Sequence, residues 1–362
     1  MSTPILQFGT SRFLQAHADL FIDEAMAWGE ALGPITVVQT TGAPERAGRV
    51  AALAAAEGYP VRLRGRADGV DVDREQRVRS VRRALSTPAD WEAVEAVFVS
   101  EAAVILSNTG DAGYRIPEGD LSEDVPKSFP GKLLALLSAR FQAGGGHLTI
   151  LPCELVARNG DTLKQIVLGL QVDRYPDSAF RDWLQSGVVW GNSLVDRIVS
   201  EPIEPAGAVC EPYALWAIER QPGLVIPCTH PAIKLVDDLT PYEKLKLHIL
   251  NLGHTVLADI WLKDGRRADE TVREILADTV VHGRLTAIYR DEVVPAFAAR
   301  GLGEEAETYV ATTLERFQNP YLDHRIADIA ANHAEKVQRR IVGLKAWSPS
   351  VAMPELSAVA NA

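Results

Sequence analysis

The 362-residue chain has little cysteine: Cys153, Cys210 and Cys228, with no CxxC spacing. Three scattered thiols exclude a disulfide framework and a thiolate zinc cage, and they suit a reducing compartment. Basic charge is not in excess either. Lys and Arg number 37 against 48 Asp and Glu, a formal charge of −11, which argues against a nucleic-acid partner. A small anionic substrate stays open, because a site needs only two or three local cations. The N-terminus shows no basic segment followed by an apolar run. No stretch nears the roughly 18 apolar residues of a membrane span. The expectation is a soluble, cytoplasmic protein with no membrane partner, and the scattered Cys and His show no metal-ligand spacing.

Composition is otherwise ordinary, with 47% hydrophobic and 23% charged residues, so a packed core is expected and wholesale disorder is not. The length suggests two domains. Pro4–Phe8 reads as a strand stopped by Gly9, Arg12 to Trp28 as one helix, and residues 35–39 as a second strand. Strand, glycine turn, helix, strand is the βαβ unit of a parallel sheet. The polar stretch 64–77 reads as a hairpin insertion. Further strands are expected at 104–108 and 148–151, alternating with helices. Residues 201–241 hold seven of the 21 prolines and read as a connecting region. Beyond Pro241 the periodicity is helical throughout. The expected fold is an α/β Rossmann-like doubly wound sheet followed by an all-α C-terminal domain. Its expected limits are 1–235, 236–348 and a flexible tail, 349–362.

In such a sheet the first strand-to-helix turn receives a dinucleotide pyrophosphate. Here it runs Gly9-Thr10-Ser11-Arg12-Phe13-Leu14 and keeps one glycine of GxGxxG, with Ser11 and Leu14 at the other two positions. An ordinary tight turn is the competing reading. The second strand ends Gln39-Thr40-Thr41, without the acid that usually meets a ribose. Arg46 follows and suits either a 2′-phosphate or the surface, so these residues do not choose between NAD and NADP.

The segment Tyr242-Glu243-Lys244-Leu245-Lys246-Leu247-His248-Ile249-Leu250-Asn251-Leu252-Gly253-His254 opens an apolar helix yet carries Lys246, Asn251 and His254. Asn251 and His254 fall about 60° apart, whereas Lys246 falls about 140° from Asn251. Polar groups on an apolar helix need partners or a task. Hydride transfer between carbonyl and alcohol needs a proton donor and groups that stabilise an alkoxide. A solvated first turn with a core histidine is the plainer alternative.

Lys246-x4-Asn251-x2-His254, after Asp237-Asp238-Leu239-Thr240-Pro241, resembles the polyol-specific long-chain dehydrogenase family. So do Leu194-Val195-Asp196-Arg197-Ile198, Phe8-Gly9-x3-Phe13-Leu14-x-Ala16, Ser107-Asn108-Thr109-x2-Ala112-Gly113, Cys210-Glu211-Pro212-Tyr213 and Arg316-Phe317-x-Asn319-Pro320. These matches run in order from residue 8 to about 340. Leu151-Pro152-Cys153-Glu154-Leu155-x3-Asn159-Gly160-Asp161 and Asn319-Pro320-Tyr321-x2-His324, then Lys336, look most like its tagaturonate reductase (altronate oxidoreductase) branch. Cys210–Tyr213 with Trp216 looks closer to the mannitol and fructuronate branches. Leu155 stands where the mannitol branch has an Asn of the oxyanion pair.

The resemblance implies a nicotinamide-dependent oxidoreductase, NAD first and NADP open. Lys246 would be the general acid/base, Asn251 the oxyanion donor and His254 the group orienting the substrate hydroxyl. Asp196, Asn159, Lys336 and His324 are candidate substrate contacts; Asp196 with Arg197 also suits a structural cap, and Asn159 a role in shaping its turn. Gly9, Thr10, Ser11, Arg12, Phe13, Gln39, Thr40, Asn108 and Thr109 are candidate cofactor contacts. The implied substrate is a sugar acid such as altronate. An uncharged hexitol or pentitol, a polyol phosphate, and a non-catalytic nucleotide-binding regulator are the alternatives. A homo-oligomer is allowed.

Overall fold

The computed structural model describes residues 2–43, 46–110 and 113–361, so Ala112 of the Asn108 motif and Ala362 of the expected tail lie outside them. The strands are β1 (Ile5–Phe8), β2 (Ile35–Gln39), β3 (Tyr59–Ala67), β4 (Val70–Val78), β5 (Val81–Ser86), β6 (Val104–Ser107), β7 (Leu148–Pro152), β8 (Val188–Trp190), β9 (Ser193–Asp196), β10 (Val199–Pro202), β11 (Ala208–Cys210), β12 (Leu215–Glu219) and β13 (Ile233–Val236). Six form a parallel sheet in the order β5-β2-β1-β6-β7-β8. All residues of β1, β2, β6 and β7 are buried, because helices cover both faces. Strand order reverses between β1 and β6, and ligands bind outside the carboxyl ends of strands at such a switch point.

The chain divides into two compact units. The first holds the residues up to Leu63, Arg74–Cys210 and Ala214–Leu239. Its core gathers Phe8, Ile105, Leu133, Leu137, Ile150, Val167 and Phe180. The second holds Arg64–Asp73, Glu211–Tyr213 and the chain from Thr240. Its helices bury Ile249, Leu252, Val256, Leu285, Phe297, Ile341 and Leu344. The tip of the β3–β4 hairpin belongs to this second unit for specific reasons. The Arg64 guanidinium lies 4.1 Å over the Tyr321 ring, and the Asn319 amide donates to the Arg64 carbonyl at 3.2 Å. No helix among the described residues is long and apolar enough to cross a membrane.

Three expectations need correction. The proline-rich stretch is not a connector but carries β10 to β13. Its prolines sit where a missing N–H costs least: Pro202 ends a strand, Pro212 follows one, and Pro241 lies in the first turn of the Thr240–Leu245 helix. The first helix is broken in two, Arg12–Gln15 and Ala18–Trp28. The buried Arg197 guanidinium takes the Ala16 carbonyl, which an unbroken helix would pair with the N–H four residues on. The tail is not flexible. Pro354–Ala360 is a helix with Leu356 and Val359 buried, and the Glu355 and Leu356 N–H groups donate to the Glu292 carboxylate at 2.7 and 3.0 Å. Small residues there suit close packing.

Candidate active site

At the switch point of the first unit lies a pocket of about 290 Å³. Gly9, Thr10 and Ser11 line it from the end of β1, Gln39, Thr40 and Thr41 from β2, and Asn108, Thr109 and Gly110 from β6. Arg46 and Arg49 complete the wall. Gly9 has φ +110, and a Cβ there would overlap the Asn108 carbonyl oxygen, so only glycine lets the two turns close on each other. Ser11 is a helix cap rather than a glycine substitute: its hydroxyl accepts from the Leu14 N–H at 3.1 Å. Leu14, in the third glycine's place, is fully buried. The β6 turn is fastened by Glu154. Its carboxylate accepts from the Ser107 hydroxyl at 3.0 Å, from the Thr109 N–H and hydroxyl, both at 3.0 Å, and from the Tyr114 hydroxyl at 3.2 Å. Behind the first turn, burial pushes the Asp19 carboxyl up to about 7. Hydroxyls, glycine backbone and guanidinium groups make this wall suited to phosphate and ribose.

In the second unit the helix holding Lys246 is interrupted. Thr240–Leu245 and Asn251–Asp264 are α-helical, but Lys246–Leu250 is one wide π-turn, in which the Asn251 N–H donates to the Lys246 carbonyl. One extra residue in a turn resets the helical phase by about 100°, so the 140° between Lys246 and Asn251 becomes about 40°. This corrects the expected geometry: the two side chains leave the same face, and no long reach by the lysine stem is required. The turn is held from outside. The buried Tyr289 hydroxyl donates to the Ile249 carbonyl at 2.9 Å, and burial pushes that phenol well above its ordinary pKa. A Cβ on Gly253 would overlap the same hydroxyl, which explains a glycine inside this helix. Gly253→Ala should therefore destabilise the protein by roughly 1–3 kcal/mol. Adding Tyr289→Phe should recover part of that loss, as read from denaturant midpoints in a double-mutant cycle.

The surroundings of this turn are cationic. Arg340 donates to the Asn251 carbonyl at 3.1 Å and the Thr255 hydroxyl at 3.0 Å. Its own carbonyl pairs with Nδ1 of His248, which burial holds neutral with a pKa pushed down to about 4. Lys336 sits one turn before Arg340 and donates to the Ile329 carbonyl at 2.7 Å. Burial, then the Arg340 charge, lowers its pKa. His324 is also lowered, by burial first and by Lys336, with Asp328 opposing. The His324 ring meets the buried His254 ring edge-on at 5.1 Å, and Phe317 packs on the other neighbour side of His254 at 4.4 Å. Thus Asn251, His254, His324, Lys336 and Arg340 form one arc, of which Arg340 had gone unnoticed in the sequence.

Other expected residues are placed differently. Asn159 is fully buried; its amide donates to the carbonyls of Pro152, Glu154 and Ser193, and its oxygen accepts from the Gly160 and Ser193 N–H groups. It clasps the β7 turn and has no hydrogen-bonding capacity left for a substrate. Arg12 does not line the pocket: its guanidinium holds Glu204 at 2.6 Å and the carbonyls of Pro205 and Gly207. Phe13 stacks on His17 at 4.6 Å instead. Asp196 is buried at the end of β9, opposite Leu215. Leu155 is 75% exposed, an apolar tip in the loop after β7. The sequence reading missed Thr41, Arg49 and Gly110 in the pocket; the i, i+3 spacing of Arg46 and Arg49 was the available signal for Arg49.

Residues 3–226 match the mannitol dehydrogenase Rossmann domain, and residues 238–346 match the mannitol dehydrogenase C-terminal domain. The chain belongs to the mannitol dehydrogenase family. It is an oxidoreductase acting on CH–OH groups. It is 33% identical over 361 residues to an altronate oxidoreductase of Bacillus subtilis (strain 168), covering 93% of this chain and 73% of that one. It is 31% identical to an altronate oxidoreductase of Halalkalibacterium halodurans, covering 93% and 69%. A crystal structure of D-sorbitol dehydrogenase in substrate-free form shares the fold with TM-score 0.82 at 23% identity, over 95% of this chain and 75% of that one. The Pseudomonas fluorescens mannitol 2-dehydrogenase ternary complex with NAD and D-mannitol gives TM-score 0.73 at 20% identity, over 100% and 84%.

Two of the motifs that carried the family resemblance turn out to be one object. Glu211 and Arg316, both almost fully buried, form a two-pronged ion pair at 3.0 and 2.8 Å. The Arg316 guanidinium also lies 4.2 Å over the Tyr213 ring. Next to Arg316 in sequence is Phe317, which packs against His254. The Glu211-Pro212-Tyr213 and Arg316-Phe317-x-Asn319 segments are thus joined, and they fix the Phe317 ring that packs on His254.

Proposed function

We propose that this family member interconverts a sugar acid and its ketose, a hexonate such as altronate being first choice, with Lys246 as general acid/base. A nicotinamide dinucleotide would be held by Gly9, Thr10, Ser11, Thr40, Thr41, Asn108 and Thr109. When bound it supplies the hydride donor or acceptor. In the reducing direction the Lys246 ammonium gives its proton to the ketone oxygen. The Asn251 amide hydrogen-bonds that oxygen as negative charge gathers on it. His254, its ring fixed between Phe317 and His324, orients the neighbouring hydroxyl. In oxidation the neutral amine takes the alcohol proton back.

One observation favours a sugar acid over an uncharged hexitol: Lys336 and Arg340 place two cations, one turn apart, in the arc that contains Asn251 and His254. A carboxylate is recognised by charge-assisted hydrogen bonds of this kind. A hexitol would need amides and hydroxyls there. The test is a comparison of kcat/KM for hexonates, hexitols and pentitols in the wild type and in Lys336→Met. The wild type should prefer a hexonate. The variant should lose about 10- to 100-fold on it, the equivalent of one charge-assisted hydrogen bond, and little on a hexitol. Preference for a hexitol in the wild type, with no selective loss in the variant, would assign the polyol reading instead.

A further inference from the structure

Three wide turns interrupt the described helices of the second unit: Lys246–Leu250, Tyr289–Val293 and Gln338–Val342 are π-helical. Such turns are rare and occur frequently at functional sites. Here they are tied to one another. The Tyr289 hydroxyl of the second donates to the Ile249 carbonyl of the first at 2.9 Å. His248 of the first pairs through Nδ1 with the Arg340 carbonyl of the third, also at 2.9 Å. Arg340 returns the contact: its Nη1 donates to the Asn251 carbonyl at 3.1 Å and to the Thr255 hydroxyl at 3.0 Å.

His248 is 1% exposed. A carbonyl only accepts, so the proton of the neutral ring stands on Nδ1. Nε2 is left buried and without a partner among the described residues. A bare buried nitrogen costs free energy that an apolar ring would avoid, so packing does not account for an imidazole here. The Nδ1–H does, because it fixes the backbone from which the Arg340 side chain starts. A guanidinium is a planar fork with five donors. Nη1 of Arg340 is spent on Asn251 and Thr255, while Nε and Nη2 meet no acceptor among the described residues. Their edge is the one that matches a carboxylate.

We propose that Arg340 is the specificity-determining and positioning residue of this site: Nη1 holds the Asn251 carbonyl, the Nε–Nη2 edge takes the substrate's carboxylate, and His248 fixes the fork. This deepens, and rests on, the reading of Lys246 as proton donor and Asn251 as oxyanion donor. Charge recognised at one end of the substrate then steadies the turn that aligns Lys246 with Asn251, so binding energy remote from the reacting carbon is realised in kcat.

Steady-state kcat and KM for a hexonate and a hexitol, with unfolding midpoints alongside, test the coupling. His248→Phe keeps a ring parallel to Trp347 and removes the Nδ1 donor. It should lower kcat on both substrates by about 10- to 100-fold, the scale of a misplaced reacting group, with KM nearly unchanged. His248→Asn returns an N–H near the same place and should recover most of that loss. Arg340→Lys keeps the charge and loses the fork, so it should lower kcat on both substrates and raise KM about tenfold for the hexonate alone. Added guanidinium ion should restore turnover in Arg340→Ala. Wild-type kcat in His248→Phe, a loss there that His248→Asn does not recover, or an equal rise of both KM values in Arg340→Lys would overturn the coupling and leave Lys246 as proton donor. Undiminished kcat in Lys246→Ala would overturn the reading beneath it. If His248→Phe does not fold, the Arg340 variants and the guanidinium rescue decide alone.

Discussion

Lys246→Ala should fold normally, bind cofactor and substrate, and turn over about 100- to 10,000-fold more slowly at neutral pH. That range is what a positioned proton donor contributes. Its side chain is half-buried on a helix whose core lies on other residues, Ile249, Leu252 and Val256, so truncation leaves packing largely intact. The loss should appear in kcat, because the proton moves only as the carbon–oxygen bond order changes. Steady-state kinetics with an equilibrium binding measurement separates the two. A variant retaining wild-type kcat would show that the proton travels by another route. Asn251→Ala should cost less, about 10- to 1,000-fold, since it removes one donor to the developing oxyanion.

The second large effect concerns stability. Arg316→Ala should destabilise the protein by roughly 3–5 kcal/mol, because it removes the two-pronged partner of a buried carboxylate. Both partners are almost fully buried, so water does little to replace the lost contact. Replacing the pair together, Glu211→Leu with Arg316→Met, should recover most of that loss, since two apolar groups of similar volume need no desolvation. Denaturant unfolding of the two variants against wild type gives the comparison. The double variant should still show weakened catalysis, because Arg316 also stacks on Tyr213 and sits beside the Phe317 that packs on His254. If the single variant unfolds at the wild-type midpoint, the pair is not holding the second unit together.

Much of the first unit was legible because its signals are local. The apolar runs of β1, β2, β6 and β7, each bounded by glycine or polar turns, mark buried parallel strands, and the structure places them within a residue or two. Lys246, Asn251 and His254, the residues proposed to carry the chemistry, were legible as polar intrusions on an apolar helix. Their relative azimuth was not. Periodicity assumes a constant phase, and the wide turn at Lys246–Leu250 shifts that phase without changing the hydrophobic pattern. Asn159 stayed open between substrate contact and turn shaping for a related reason: an amide saturated by five hydrogen-bonding groups looks in sequence like an amide awaiting a ligand.

By itself, the order of residues determined the parallel-sheet unit and the helical unit after Pro241, because hydrophobic period and turn residues act over a few neighbours. Long-range contacts decided the rest. Tyr289 reaching Ile249 holds the turn that aligns Lys246 with Asn251, Arg316 joins Glu211 across 105 positions, and Glu292 captures the helix that opens at Pro354. A buried carbonyl, carboxylate or N–H must find a partner wherever the chain offers one, and that demand is met in space rather than along the sequence.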